Sequence, residues 1–220
     1  MQPIRVQYGD RIIDLSDPET MYSTAQHCMK SGDTKTAFRL FQLAAEQGHP
    51  EAQNELGMCY LMGEGTTKDD REAVRLFEIA ANQNVLLAKI NLANCLFGEI
   101  GISVDKKRAF TLFTEAAEQG HPIAQFALGQ CYFYGDGVAQ RKSKAFHFFK
   151  LAAEQGYALA QTMISQMLHV CAQCKKIESD YGQHKKCGGC HNTRYCDEVC
   201  QLAHWKASHK RMCSREHLNA

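Results

Sequence analysis

Between residues 51 and 158 the chain repeats itself with a period of 36 and no gap. Aligning 51–86, 87–122 and 123–158 superimposes Leu56, Leu92 and Leu128, then Cys59, Cys95 and Cys131, then Ala73, Ala109 and Ala145, then Phe77, Phe113 and Phe149, and finally the Ala-Ala pairs that begin at residues 80, 116 and 152. A period of this size means that one supersecondary unit recurs. A single such unit cannot bury its own apolar stripe, so neighbours must stack. An earlier unit shares the second half of the pattern at Ala37, Phe41, Ala44-Ala45 and Gly48. Its Cys28 precedes Ala37 by nine residues where Cys59 precedes Ala73 by fourteen, so its internal loop is five residues shorter. A last half-unit spans 159–170.

Each unit reads as two helices. From 52 to 62 the apolar residues share one helical face and Gly63-Glu64-Gly65 interrupts them. Asp69 or Asp70 caps a second helix, whose i, i+3, i+4, i+7 stripe is supplied by Ala73, Leu76, Phe77 and Ala80. Gly48, Gly120 and Gly156 close the second helices, where glycine takes a left-handed backbone without a Cβ penalty, and Asn84 stands at the equivalent place as the commonest substitute. Upstream, Ile4, Val6 and Tyr8 alternate before Gly9-Asp10, and Ile13 and Leu15 after it. This predicts a short hairpin, which must lie against the next helix because an isolated hairpin is marginal in water. Ser16-Asp17-Pro18-Glu19 then offers a cap, a proline for the first turn and a glutamate placed to return the capping bond.

The array resembles the Sel-1-like repeat family, which is related in shape to tetratricopeptide arrays. The likeness is carried by Leu56-Gly57-Met58-Cys59-Tyr60 with Gly63-Glu64-Gly65, by Leu128-Gly129-Gln130-Cys131-Tyr132 with Gly135-Asp136-Gly137, and by the Ala-Ala-Glu-Gln-Gly endings that start at residues 44, 116 and 152. Ala93 and Leu96 depart from it in the third unit, and Arg141 stands where an acidic cap is expected. The resemblance covers residues 19–170, after a short N-terminal segment 1–18. It implies an all-α, right-handed helix-pair solenoid that serves as a protein-binding scaffold. The repeat cysteines are read as small core residues, since stacked helices lie about 8–10 Å apart, too far for equivalent residues to share one zinc at ligand bonds of about 2.3 Å. His49 and His121, both in Gly-His-Pro between units, are read as structural.

A second pattern begins at residue 171. It reads Cys171-x2-Cys174, Cys187-x2-Cys190, Cys196-x3-Cys200 and His209-x3-Cys213, eight soft ligands and thus enough for two tetrahedral zinc ions. Cys-x2-Cys places two thiolates on one tight turn, whereas Cys-x3-Cys and His-x3-Cys place both ligands on one face of a helix. Pairs this closely spaced read as metal sites, and zinc thiolates together with unpaired core thiols suit a reducing compartment, cytoplasm or nucleus. Spacing leaves sequential and interleaved pairing equally open.

This region resembles the MYND zinc finger beyond its cysteines. Asn192-Thr193-Arg194-Tyr195-Cys196, Cys200-Gln201 and His204-Trp205 ahead of His209-Lys210 and Cys213 match that family's second half. The resemblance covers 171–213 and leaves a tail at 214–220. It implies interleaved sites: Cys171, Cys174, Cys196 and Cys200 for one ion, and Cys187, Cys190, His209 and Cys213 for the other. Three residues, Lys206, Ala207 and Ser208, separate Trp205 from His209 where the family more often has two, which keeps His204 as a second candidate ligand. The resemblance further implies that Gln201 and Trp205 help hold short proline-containing peptides in extended form along a strand edge. The bland alternative is that Trp205, the single tryptophan, packs on the last repeat helix.

Charge narrows the remaining classes. Residues 171–220 carry nine Lys/Arg against five Asp/Glu, but seven thiolates and two dications bring the region to +1. That is no basic stripe for nucleic acid. No apolar run reaches the roughly 18 residues of a membrane span. Eight protein ligands leave no open coordination position, so the zincs read as structural. Every residue outside the finger is absorbed by repeats, leaving no room for a methyltransferase cofactor domain, and a ubiquitin-ligase RING would end in Cys-x2-Cys pairs. The expected function is a non-enzymatic, zinc-binding adaptor with protein partners and no small-molecule substrate. The alternative is an accessory or regulatory subunit of a methyltransferase or ubiquitin-ligase assembly, without its own active site. No glycine-, proline- or serine-rich hinge precedes Cys171, so the finger is expected to cap the array in a fixed orientation.

Overall fold

Recurring start and stop signals cut the repeat region into helices of nearly one length. In the computed structural model of the chain, α1 (Pro18–Ser31), α2 (Thr34–Glu46), α3 (Pro50–Met62), α4 (Asp70–Asn82), α5 (Leu86–Gly98), α6 (Lys106–Glu118), α7 (Pro122–Tyr134), α8 (Lys142–Glu154) and α9 (Ala158–Gln173) occur in order. From α2 to α8 each has 13 residues. The structure describes residues 5–8, 11–14, 16–173, 185–186 and 194–195, with side chains over 16–167. The predicted N-terminal hairpin is present as β1 (Arg5–Tyr8) and β2 (Arg11–Asp14), paired antiparallel with Val6 opposite Ile13, and β2 adjoins α1. A second antiparallel pair, β3 (Lys185–Lys186) and β4 (Arg194–Tyr195), sets Lys185 opposite Tyr195 and Lys186 opposite Arg194.

The caps explain the boundaries. The Asp17 carboxylate accepts from the N–H groups of Glu19 and Thr20 with Pro18 in the first turn, Asp33 accepts from Thr36, and Asp105 accepts from Arg108. Asp69, and not Asp70, caps α4 by accepting from Arg71 and Glu72. Arg141 precedes α8 with no side-chain cap bond, as its departure from the acidic pattern predicts. Gly48, Gly120 and Gly156 take φ near +85°, and Asn84 joins them in the left-handed region at 65°. The Glu19 carboxylate reaches His49 Nε2 at 3.0 Å, a contact that the capping motif does not suggest.

Two compact units divide the chain after Ala116, within α6. In the first, residues 1–116, α1 packs on α2, α2 on α3, α3 on α4 and α4 on α5. In the second, residues 117–220, α7 packs on α8 and α8 on α9. The same positions are buried in every repeat: Ala37, Ala73, Ala109 and Ala145, then Phe41, Phe77, Phe113 and Phe149, then Ala44, Ala80, Ala116 and Ala152. Each such phenylalanine contributes about 1.5–3 kcal/mol by leaving water. Within a repeat the rings sit tight on the facing helix: a Cβ added to Gly57 would lie 2.7 Å from Phe77 Cε1, and one added to Gly129 2.6 Å from Phe149 Cδ1. Between repeats the approach is backbone to backbone. A Cβ on Gly65 would meet the Thr34 carbonyl oxygen at 2.3 Å, and one on Gly101 the Asp70 carbonyl oxygen at 2.2 Å.

α9 departs from the predicted half-unit. It runs past Val170, through Cys171, to Gln173, so the backbone at Cys171 is helical where a tight turn was expected. The cause is legible in the sequence: no glycine stands where Gly135 ends α7, since that position 36 residues on is Cys171 itself, for which a left-handed stop carries a Cβ penalty.

Candidate functional site

The repeat thiols are the first candidates to be tested, and they fail as ligands. Cys28, Cys59, Cys95 and Cys131 are all buried. Burial, with the Glu64 and Glu55 carboxylates adding to it, pushes the Cys59 thiol up to about 12, and burial beside Asp70 pushes Cys95 up to about 11. A thiol so far from ionising is a poor nucleophile and a poor metal ligand. Among the described residues no group of three or more His, Cys, Asp or Glu side chains is placed to hold a metal ion.

The predicted zinc ligands lie beyond the array. Cys171 is placed on α9 by its backbone, whereas Cys174, Cys187, Cys190, Cys196, Cys200, His209 and Cys213, the second candidate His204, and Gln201 and Trp205 lie outside the described residues. β3 and β4 immediately precede Cys187 and Cys196 in sequence. A donor set of seven sulfurs and one imidazole is chemically suited to zinc, which binds thiolate and imidazole in tetrahedral sites.

Several polar residues of the array carry no obvious mark in the sequence. Gln53 and Gln125 are buried at equivalent positions, and each accepts from the glutamine that ends its repeat: Gln83 Nε2 to Gln53 Oε1 at 2.6 Å, and Gln155 Nε2 to Gln125 Oε1 at 2.9 Å. The third repeat carries Lys89 there, also buried, with its ammonium donating to Asn84 Oδ1 at 3.2 Å and Glu115 Oε2 at 2.8 Å. The only signal that could find them is a polar residue recurring at the 36-residue period on an otherwise apolar helix face.

The two Gly-His-Pro histidines are structural but unlike one another. His49 Nδ1 accepts from the Ala52 N–H and caps α3, while its ring stacks on Tyr22 at 4.7 Å. His121 precedes α7 without a cap bond, its buried Nδ1 has no hydrogen-bond partner among the described residues, and burial lowers its pKa. On the first helices of the repeats, Leu87, Ile123 and Leu159 recur at one position and are exposed. Glu55 is half-buried and held above the usual carboxylate range by desolvation, although Asn54 donates to it.

Comparisons with known proteins fit this geometry. The family model described as Sel1 repeat matches residues 20–49, 50–85, 86–121 and 122–157, and that described as MYND finger matches 171–213. The crystal structure of c5321, a protective antigen of uropathogenic Escherichia coli strains displaying an SLR fold, is 30% identical and superimposes with a TM-score of 0.66, covering 70% of this chain and 34% of that one. A Sel1 repeat protein from Oxalobacter formigenes is 28% identical with a TM-score of 0.66, covering 76% of this chain and 69% of its own. Ubiquitin carboxyl-terminal hydrolase 15 of Arabidopsis thaliana is 43% identical over 47 residues, which is 21% of this chain and only 4% of that protein. No described helix is long and apolar enough to cross a membrane. With four matched repeats spanning well over half of its residues and a MYND finger after them, the chain belongs to the Sel1 repeat family.

Proposed function

We propose that the chain is a non-enzymatic adaptor in which the repeats hold one protein partner and a two-zinc finger docks short proline-containing peptides from the same or a second partner. The observation that carries this reading is the MYND match at 171–213, whose span contains all eight ligands, on a chain whose matched repeats spend their buried residues on packing. The ligands are assigned as Cys171, Cys174, Cys196 and Cys200 on one ion and Cys187, Cys190, His209 and Cys213 on the other. The register of β3 and β4 supports separating the middle pairs. In an antiparallel pair the chain leaves the two strands from opposite ends, so the Cys187/Cys190 and Cys196/Cys200 pairs set off from opposite ends of the same ladder.

A module of about 40 residues has too small a core to fold unaided, and structural zinc can supply about 10–16 kcal/mol of apparent binding energy. With every position filled by protein, the ions shape a surface rather than activate water. Gln201 and Trp205, four residues apart in sequence, are proposed as the contacts for an extended peptide, which would add a strand to the finger and take its affinity from backbone bonds. The domains on this reading are an N-terminal segment 1–18, repeats 19–170, the finger 171–213 and a tail 214–220.

The test combines metal analysis with binding. Reduced wild-type protein should carry two zinc ions per chain, and Trp205→Ala should keep both while binding of a proline-containing peptide or partner falls at least tenfold. Fewer than two zincs in the wild type would remove the two-ion finger, and unchanged peptide binding by Trp205→Ala would remove the groove.

A further inference from the structure

α9 stands at the first-helix position of a further repeat, and among the described residues no second helix follows it. Ala160 is fully buried, like Ala52, Ala88 and Ala124 at earlier multiples of the same period, so α9, which packs on α8, carries the buried position of a first helix. Thirty-six residues beyond α8 (Lys142–Glu154) a second helix would include residues 185–186, yet Lys185–Lys186 form strand β3, paired with Arg194–Tyr195. The face of α9 that such a helix would cover is therefore left to something else. Leu128 and Cys131 on α7 are each 1% exposed, while Ile164 and Met167, one period later, are only half-buried.

The chain itself names the occupant. α3, α5 and α7 each stop at a residue in the left-handed region, Gly63, Glu99 and Gly135, before the loop to their second helix. The next residue in that series is Cys171, the first ligand of the finger, and α9 passes through it. The ligand pattern thus begins at the repeat's own loop position, with no spacer in which the finger could hang away from the array. An apolar face left open at the end of a stacked array must be closed by a capping element. We propose that the finger, residues 174–213, takes the place of the fifth repeat's second helix and packs on the α9 face of Ala160, Ile164 and Met167, so that zinc binding and closure of the array's end are one event. This rests on the finger reading above and adds its seat.

Hydrogen exchange on the full chain tests it, with thiols kept reduced and the zinc-to-chain ratio measured in the same samples. Loss of Cys171 as a ligand would loosen only the last turn of α9, so the reporting amides are those of 160–166. These should exchange at least tenfold faster after zinc is removed by a chelator, while α1 to α4 are unchanged. A second arm uses Ile164→Glu, nearly two turns before Cys171. Zinc release to a competing chelator should accelerate at least fivefold, with helical circular dichroism retained.

Protein that holds two zincs but shows indifferent exchange at 160–166 and unaltered zinc release in Ile164→Glu would overturn the seat while leaving the finger intact. Protein that binds no zinc would overturn both. A wild-type dimer that Ile164→Glu converts to monomer, without altering zinc release, would show that a second copy covers this face and would also overturn the proposal.

Discussion

Repeats two and three, residues 50–85 and 86–121, bury the same side chains and yet reach that core by different local means. Ala73 and Ala109, Phe77 and Phe113, and Cys59 and Cys95 are all 3% exposed or less. Around them the second repeat uses Gly57 under the Phe77 ring, Gly63 to end its first helix, and the Gln53–Gln83 bond to tie that helix to the end of its second. The third repeat has Ala93 in place of Gly57, Glu99 at φ 57° in place of Gly63, and a buried Lys89 that bonds Asn84 and Glu115. What does not change is Gly65 and Gly101, each with its Cα against a backbone carbonyl of the preceding repeat. The difference teaches that contacts to a side chain can be exchanged, because a ring or an amide can shift, whereas contacts to backbone between repeats cannot.

That distinction predicts a ranking. Gly101→Ala and Gly65→Ala would each place a methyl within 2.3 Å of a carbonyl oxygen at a positive φ. The left-handed backbone costs about 1–2 kcal/mol for an L-residue and overpacking a further 1–3 kcal/mol or so, so each should lose about 3 kcal/mol or more, read from the urea midpoint of the full chain. Gly57→Ala meets only the movable Phe77 ring and gains helix propensity, so its cost should stay near about 1 kcal/mol. Equal losses at Gly57 and Gly65 would break the comparison.

The repeats were legible in the sequence because the period of 36 has no gap and because apolar stripes, caps and left-handed stops all recur with it. Asn84 could be placed at a helix end by its alignment with Gly48, Gly120 and Gly156 alone. The glutamine bonds were not legible, since Gln53 and Gln125 look like any polar residue until burial is known. Lys89 hid for the opposite reason: a lysine on a helix is ordinarily a solvated residue, and the Glu115 carboxylate of the next helix, together with the Asn84 amide oxygen, makes its burial tolerable. The helical backbone at Cys171 was missed because a Cys-x2-Cys pair by itself suggests a turn, while helix length depends on the absence of a stop.

A weaker test of the shared core comes from alkaline pH, where both repeats carry a buried thiol. Burial raises Cys59 from 9.0 to about 12 and Cys95 from 9.0 to about 11. The folded state therefore holds these protons when the unfolded chain has released them. Their contribution to stability is full below about pH 9 and is lost as pH rises toward the folded values, on the order of 1 kcal/mol per thiol by about pH 10. Cys59→Ala should flatten the fall of the urea midpoint between about pH 9 and 10, and Cys95→Ala should do the same but with its effect saturating nearer to about pH 11. Tyr22 and Tyr60 are raised as well and add to the slope only from about pH 10. A midpoint independent of pH from about 8 to 10 would contradict the burial of both thiols.

The smallest effect probes the stop signal at which the two repeats differ most plainly. Glu99 holds φ 57° and ψ 38°, a conformation Gly63 takes freely, and its N–H still bonds the Cys95 carbonyl as the Gly63 N–H bonds Cys59. Glu99→Gly keeps that bond and relieves the Cβ strain, but it adds unfolded-chain entropy that opposes the gain by about 0.5–1 kcal/mol. Against a strain of about 1–2 kcal/mol, the net should be a stabilisation of about 0.5–1 kcal/mol, seen as a higher urea midpoint. Gly63→Glu should lose a similar amount in the second repeat. If Glu99→Gly instead destabilises, the glutamate side chain contributes something to the third repeat beyond occupying its stop. The two repeats would then differ in what holds that loop and not only in how easily the chain turns there.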